Sequence, residues 1–362
     1  MGKTVSSAVI IYLLFGMVLM PKLCLSAAGD GLELCINVII PSLFPFFVCS
    51  KILVKNGFAE FVSCPFRKIM RPLFNVPACG AFAFVIGIIS GCPVGARTVM
   101  DMYNDSMCTS AEAQRMVCFC NNSGPLFIMG SVAAGMLGFP QIGAVLYFSH
   151  VLSAVTVGVV MANYRRKEKI TNKSFSSKAS SSVGLAEAVS EAVSLTGDVC
   201  GFVIFFAVAT AIFRQSGFVE ILTYRLSEKN IAKGILFGML EMTNGISSLS
   251  GGKITSALLC AVSFVAGFGG LSVILQVSGI ISRYGLSTSV FVFAKFIQGI
   301  VSAIFTWLML SYTKITLPVF GRFSEITVPN MWALSINIFA VFGIIILILS
   351  ILSIGCKILR RM

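Results

Sequence analysis

Apolar windows of about twenty residues follow one another along this chain from Val5 to Cys356, each long enough as a helix to cross the hydrocarbon core of a bilayer. Backbone in hydrocarbon must satisfy its own polar groups. The chain is therefore confined there to helices, and to non-helical stretches only where protein or a cavity shields them. The expected fold class is an all-α polytopic membrane protein. With 57% apolar and 11% charged residues and a mean hydropathy of +0.94, it lies far from soluble domains, which carry roughly a quarter charged residues. The net charge of +13 sits in short loops between spans, the positive-inside pattern, so no nucleic-acid partner is expected. The twelve cysteines lie mostly inside apolar segments without a CxxC pair or a Cys/His cluster of ligand spacing, so neither a metal site nor a cofactor is expected.

One apolar run is interrupted by Cys120-Asn121-Asn122-Ser123-Gly124-Pro125-Leu126-Phe127. Pro lacks an N–H and clashes with the preceding turn, so Gly124-Pro125 breaks a helix at membrane depth. Broken backbone at that depth belongs against protein or a cavity, which makes Asn121, Asn122, Ser123 and Gly124 candidates for a binding site.

In chain order, Val5 to Met20 reads as a retained first span and Leu32 to Val54 as a span bent at Pro41 and Pro45. Residues 58–74, with Arg67, Lys68 and Arg71 among apolar neighbours, read as a basic amphipathic stretch on the cytoplasmic surface. Two short arms around Ser90-Gly91-Cys92-Pro93-Val94-Gly95-Ala96-Arg97 read as a re-entrant hairpin. Thr109 and Glu112 have the spacing of a capping box for the helix that runs through the Asn-Asn-Ser-Gly-Pro break. Pro140 to Asn163, with the single histidine His150, is a further span, and Arg165 to Ser182 is a basic, Ser-rich linker.

The same order then returns. Leu185 to Phe213 is a span whose VCGFVIFF stands where VIIPSLFPFF stood. Gly234 to Ser250, with Glu241, Thr243 and Asn244, matches the hairpin, and Thr255 to Ile281 is interrupted at Gly267, Gly269, Gly270 and Ser272. Leu286 to Tyr312 closes the second unit, and Met331 to Cys356 is an added span. The organisation expected is residues 1–29 as an N-terminal span, 30–163 as repeat 1, 164–184 as a cytosolic linker, 185–313 as repeat 2, and 314–362 as an outer loop and C-terminal span. Three crossings and a hairpin per unit, an odd number, make the second unit inverted. Placing the linker inside puts most Lys and Arg inside and both termini in the cytosol.

Paired hairpins and paired broken helices in inverted repeats point to a secondary transporter, because half-helix N-termini present free N–H groups to an anion and unwound carbonyls face a cation. The candidate site comprises Ser90, Gly91, Pro93, Gly95, Arg97, Asn121, Asn122, Ser123, Gly124, Glu241, Thr243, Asn244, Gly267, Gly269, Gly270, Ser272, Lys295 and Gln298. Arg97 would grip a carboxylate or pair with Asp101. Glu241 would carry a proton or sodium ion, accept a ligand N–H or O–H, or pair with Arg97; Lys295 would be a second anion contact or pair with Glu241. His150 reads as a satisfied core residue.

The runs PSLFPFFV, RPLFNVPACGAFAFVIGIISGCPVGAR, CFCNNSGPLFIMGSVAAGM and FGMLEMTNGI resemble the sporulation integral membrane protein family known as YlbJ or SpoVV. That family is related to nucleoside-recognition gate-domain proteins and, more distantly, to concentrative nucleoside transporters. The resemblance covers about residues 30 to 312 and implies a transporter moving dipicolinate, a small anion, out of the mother cell towards the forespore. It implies location in the mother-cell membrane and leaves the coupling ion, Na+ or H+, open. The lipid bilayer and a second copy in a homo-oligomer are the other expected partners. A nucleoside or nucleobase transporter and a non-transporting scaffold with a gate fold are the other readings. No triad, metal cluster or phosphate loop suggests an enzyme.

Overall fold

The computed structural model describes residues 2–55, 66–166, 184–217, 219, 223, 228–251 and 253–313. The expected last span, most of the linker and residues 58–65 of the surface stretch lie outside them. Every regular element in the described residues is helical: α1 (Gly2–Leu19), α2 (Pro21–Leu34), α3 (Ile40–Lys55), α4 (Arg67–Ile69), α5 (Gly80–Ser90), α6 (Val94–Asn104), α7 (Ser110–Cys120), α8 (Leu126–Met136), α9 (Gly143–Met161), α10 (Leu185–Gln215), α11 (Lys229–Leu240), α12 (Met242–Ser250), α13 (Ser256–Phe268), α14 (Gly270–Ile281) and α15 (Thr288–Thr313). The segment α8 is wound as a wide π-helix, as are the joins Cys35–Ile39 and Met70–Phe74.

Among the described residues four helical stretches are long and apolar enough to cross a membrane, namely Pro140–Met161, Leu185–Gln215, Ser256–Tyr284 and Thr288–Tyr312. A fifth passes only as a pair, Ser7–Leu19 with Pro21–Ile39, bent by 105°. Pro21 at the first position of α2 suits a helix start, so the chain turns sharply at Met20 and then runs through α2, its π-wound join and α3. The expected boundary at residues 29 and 30 lies inside α2. Exposed Phe15, Val18 and Leu19 on α1 fit a lipid-facing helix.

The expected hairpins form as α5–α6 and α11–α12, the arms of each packing on one another. Two apolar cores join stretches that are distant in the chain. Ala81, Phe84, Ala96 and Val99 of the first hairpin, with Val117 and Phe119 of α7, pack with Ile274 and Val277 of α14 and Phe291 of α15. Ile246 and Leu249 of the second hairpin, with Val262 and Val265 of α13, pack with Ile128 and Val132 of α8 and Phe47 of α3. The first hairpin thus shares a core with α14 and the second with α8, and the two breaks are drawn to one central region.

The start of α7 forms the expected capping box. Thr109 Oγ1 accepts from the Glu112 amide at 3.3 Å, and Glu112 Oε2 accepts from the Thr109 amide at 2.9 Å. The second Glu112 oxygen takes Arg71 at 2.9 Å, tying the basic surface stretch to α7. One turn on, the buried Arg115 guanidinium donates to the carbonyls of Tyr164, Asn75 and Arg165 at 2.8, 2.6 and 3.0 Å. Arg115→Met strands these carbonyls, and about 2 to 3 kcal/mol of stability should be lost. A melting temperature in detergent within about 1 °C of wild type would show that this anchor holds nothing.

Candidate substrate-binding cavity

Helices α7 and α8 are separated by Asn121, Asn122, Ser123, Gly124 and Pro125, whereas α13 and α14 are separated by Gly269 alone. Pro125 forces the longer gap. In the shorter one Gly269 and Gly270 take left-handed conformations, with φ of 85° and 75°, which cost glycine little, and Ser256–Tyr284 remains straight enough to count as one span. Each hairpin tip rests on the break of its own unit. A Cβ on Gly91, whose φ is 82°, would stand 3.0 Å from the Gly124 amide; one on Gly270 would stand 2.9 Å from the Met242 amide.

Where the tips and breaks meet lies a cavity of about 650 Å³, counting its open mouth. Of the expected residues, Ser90, Gly91, Ser123, Gly124, Glu241, Thr243 and Ser272 line it. Phe46, Phe47, Phe127 and Phe202 supply an aromatic wall, and Gln276 adds an amide. These five were not anticipated. Three of the phenylalanines were nonetheless legible, because PSLFPFF and VCGFVIFF occupy matching places in the two units and carry Phe46, Phe47 and Phe202.

Four helices begin at this wall. The chain enters α6 through Gly91 and Cys92, α8 through Ser123 and Gly124, α12 through Glu241, and α14 just before Ser272. Glu241 caps α12, its Oε2 accepting from the Asn244 amide at 2.6 Å, and Thr243 lines the cavity beside it. The Asn244 side chain turns away and donates to the Val203 carbonyl at 3.2 Å, tying the tip to α10.

Asn121, Asn122, Lys295 and Gln298 come together behind the wall. Lys295 Nζ donates to the Asn121 carbonyl at 3.1 Å and to Gln298 Oε1 at 2.7 Å, Gln298 Nε2 donates to Asn122 Oδ1 at 2.9 Å, and Asn122 Nδ2 donates to the Phe119 carbonyl at 2.7 Å. Lys295 neither lines the cavity nor pairs with Glu241, because its position on α15 aims it at the end of α7. His150 Nε2 accepts from the Ser123 amide at 3.0 Å, which fits the expected satisfied core residue on that side. Among the described residues its Nδ1 and Asn121 Oδ1 are buried without a partner.

Arg97 stands apart from both groups. It is half exposed on α6, 3.6 Å from Asp198 of α10, rather than ion-paired with Asp101 or in the cavity. Helix α6 begins at Val94, and one turn of it carries residue 97 past the tip. Pro93 is buried at the start of α6, Gly95 packs on the Cys120 carbonyl, and Gly267 packs on Gly299 and the Gln298 carbonyl.

The sporulation integral membrane protein YlbJ of Bacillus subtilis (strain 168) is 30% identical to this chain over 321 residues, covering 80% of this chain and 78% of that protein. The chain belongs to the YlbJ family. No protein-family model matches it. Solved structures of CNTnw share the fold of this YlbJ-family chain. A CNTnw variant in an intermediate state aligns over 87% of this chain and 86% of its own with a TM-score of 0.56 and 14% identity. An inward-facing, substrate-bound CNTnw aligns over 87% and 86% with a TM-score of 0.51 and 13% identity. The YlbJ-family chain is thus a multi-pass, all-helical membrane protein with the fold of a concentrative nucleoside transporter.

Proposed function

We propose that this YlbJ-family protein is a secondary transporter of a small planar heteroaromatic anion, dipicolinate, moved out of the mother cell towards the forespore. The observation that carries the proposal is that four helices begin at one aromatic-walled cavity. Their N-termini direct positive dipole ends at a carboxylate, and Phe46, Phe47, Phe127 and Phe202 suit the faces of a ring. The sporulation relative supplies the setting. In this reading the two units are inverted repeats at residues 30–163 and 185–313, both termini face the cytosol, the protein forms a homo-oligomer in the mother-cell membrane, and it is not an enzyme.

A second reading rests on a specific observation. Among the described residues no Lys or Arg lines the cavity, and the charged residue there is Glu241, a pattern that equally serves the N–H and O–H groups of a nucleoside. Both readings are tested by melting the purified protein with dipicolinate or with nucleosides, and by measuring spore dipicolinate in an endospore-forming host that lacks its own copy. Stabilisation by dipicolinate and restored spore content support the first reading. Stabilisation by nucleosides alone, with spore content unrestored, establishes the second.

A further inference from the structure

Lys295 is 2% exposed, about two turns into α15, and among the described residues no carboxylate lies within ion-pair distance of it. A buried ammonium without a counter-charge is costly, so something else must hold it. What it touches is the end of α7. The Asn121 carbonyl it binds belongs to the residue capping that helix, where the last carbonyls lack intrahelical partners and the dipole presents its negative end. Gln298 and Asn122 complete a chain of hydrogen bonds that returns to the Phe119 carbonyl, also in the last turn of α7.

In transporters built on broken helices, such half-helix C-termini and unwound carbonyls are where a mobile coupling cation binds. We propose that Lys295 is a tethered cation that takes the place of a mobile sodium ion at the α7 break, so that neither the break nor substrate binding draws on Na+. The consequence for coupling rests on the transporter reading above; the occupancy itself does not. Removing the ammonium strips the donor from the Asn121 carbonyl and from Gln298 Oε1, and the unpartnered Asn121 Oδ1 lies on the same residue. These are hard oxygen donors of the kind an alkali cation takes.

The test is the melting temperature of the purified full chain in equimolar sodium or choline chloride, for wild type, Lys295→Arg and Lys295→Met. Wild type and Lys295→Arg should melt within about 1 °C of themselves in the two salts. Lys295→Met should melt about 5 °C lower in choline and regain at least about half of that loss in sodium. A lysine with a packing role alone would lower the Lys295→Met value equally in both salts, and that result overturns the proposal, as does sodium-specific stabilisation of wild type. Should Lys295→Met not be recovered, the wild-type pair still decides. Wild-type dipicolinate uptake in the same two salts separates the two readings. Equal uptake supports both, uptake that requires sodium overturns the tethered cation, and absence of uptake in either salt counts against the substrate while the melting result stands.

Discussion

Gly87→Ala is expected to leave no folded protein in the membrane fraction, and Gly95→Ala the same. The two glycines lie on the facing arms of the first hairpin, and a methyl on either would overlap the Cys120 carbonyl oxygen at the end of α7. That oxygen cannot step aside. Its helix is fixed by the capping box at one end and by the Lys295, Gln298 and Asn122 network at the other, and a packed interior transmits such an overlap rather than absorbing it. A cost above about 4 kcal/mol follows, enough to unfold a marginally stable domain. Gly201→Ala is the control, because nothing lies within 4 Å of a Cβ there and alanine is the better helix former. Its yield and melting temperature should equal or exceed wild type. A well-folded Gly87→Ala protein, by yield and size-exclusion profile, would mean that the hairpin does not sit against α7 as described.

The second large effect is expected at Glu241. Its carboxylate accepts from the Asn244 amide at the start of α12, one of the amides that a substrate carboxylate would seek. Two negative groups at one helix N-terminus repel, so under the proposed function the anion enters together with a proton on Glu241. Each pH unit across the membrane is then worth about 1.4 kcal/mol, or about tenfold accumulation on the alkaline side, per proton moved. Glu241→Gln keeps an oxygen acceptor for the Asn244 amide and removes the proton site. In proteoliposomes with the membrane potential clamped, wild type should concentrate dipicolinate about tenfold per pH unit, while Glu241→Gln should only equilibrate it, with a melting temperature near that of wild type. Accumulation by Glu241→Gln equal to wild type would take the proton role away from this residue.

The two predictions draw on the sequence to different degrees. The Asn-Asn-Ser-Gly-Pro break, the capping box of Thr109 and Glu112, both hairpins and Glu241 at the second tip were all readable, because each rests on local backbone chemistry. Proline and glycine act on their own turn, and a cap acts within three residues. The Gly87 and Gly95 contacts with Cys120 were not readable. They depend on which surface of α7 faces the hairpin, and helices that are apolar on every side carry little directional pattern to tell.

The same limit explains Arg97 and Lys295. The sequence by itself determined that the chain is an all-helical membrane protein, that its helices break where Asn, Ser and Gly cluster, and that costly charges lie near those breaks. Only the tertiary structure decided which charges face the cavity. One helical turn carried Arg97 out to Asp198, the position of Lys295 on α15 directed it to the end of α7, and Glu241, held by the Asn244 amide of α12, was left as the charged residue on the cavity wall among the described residues. In a medium with no water to receive a misplaced charge, that choice of direction separates scaffold from site, and packing between distant segments makes it.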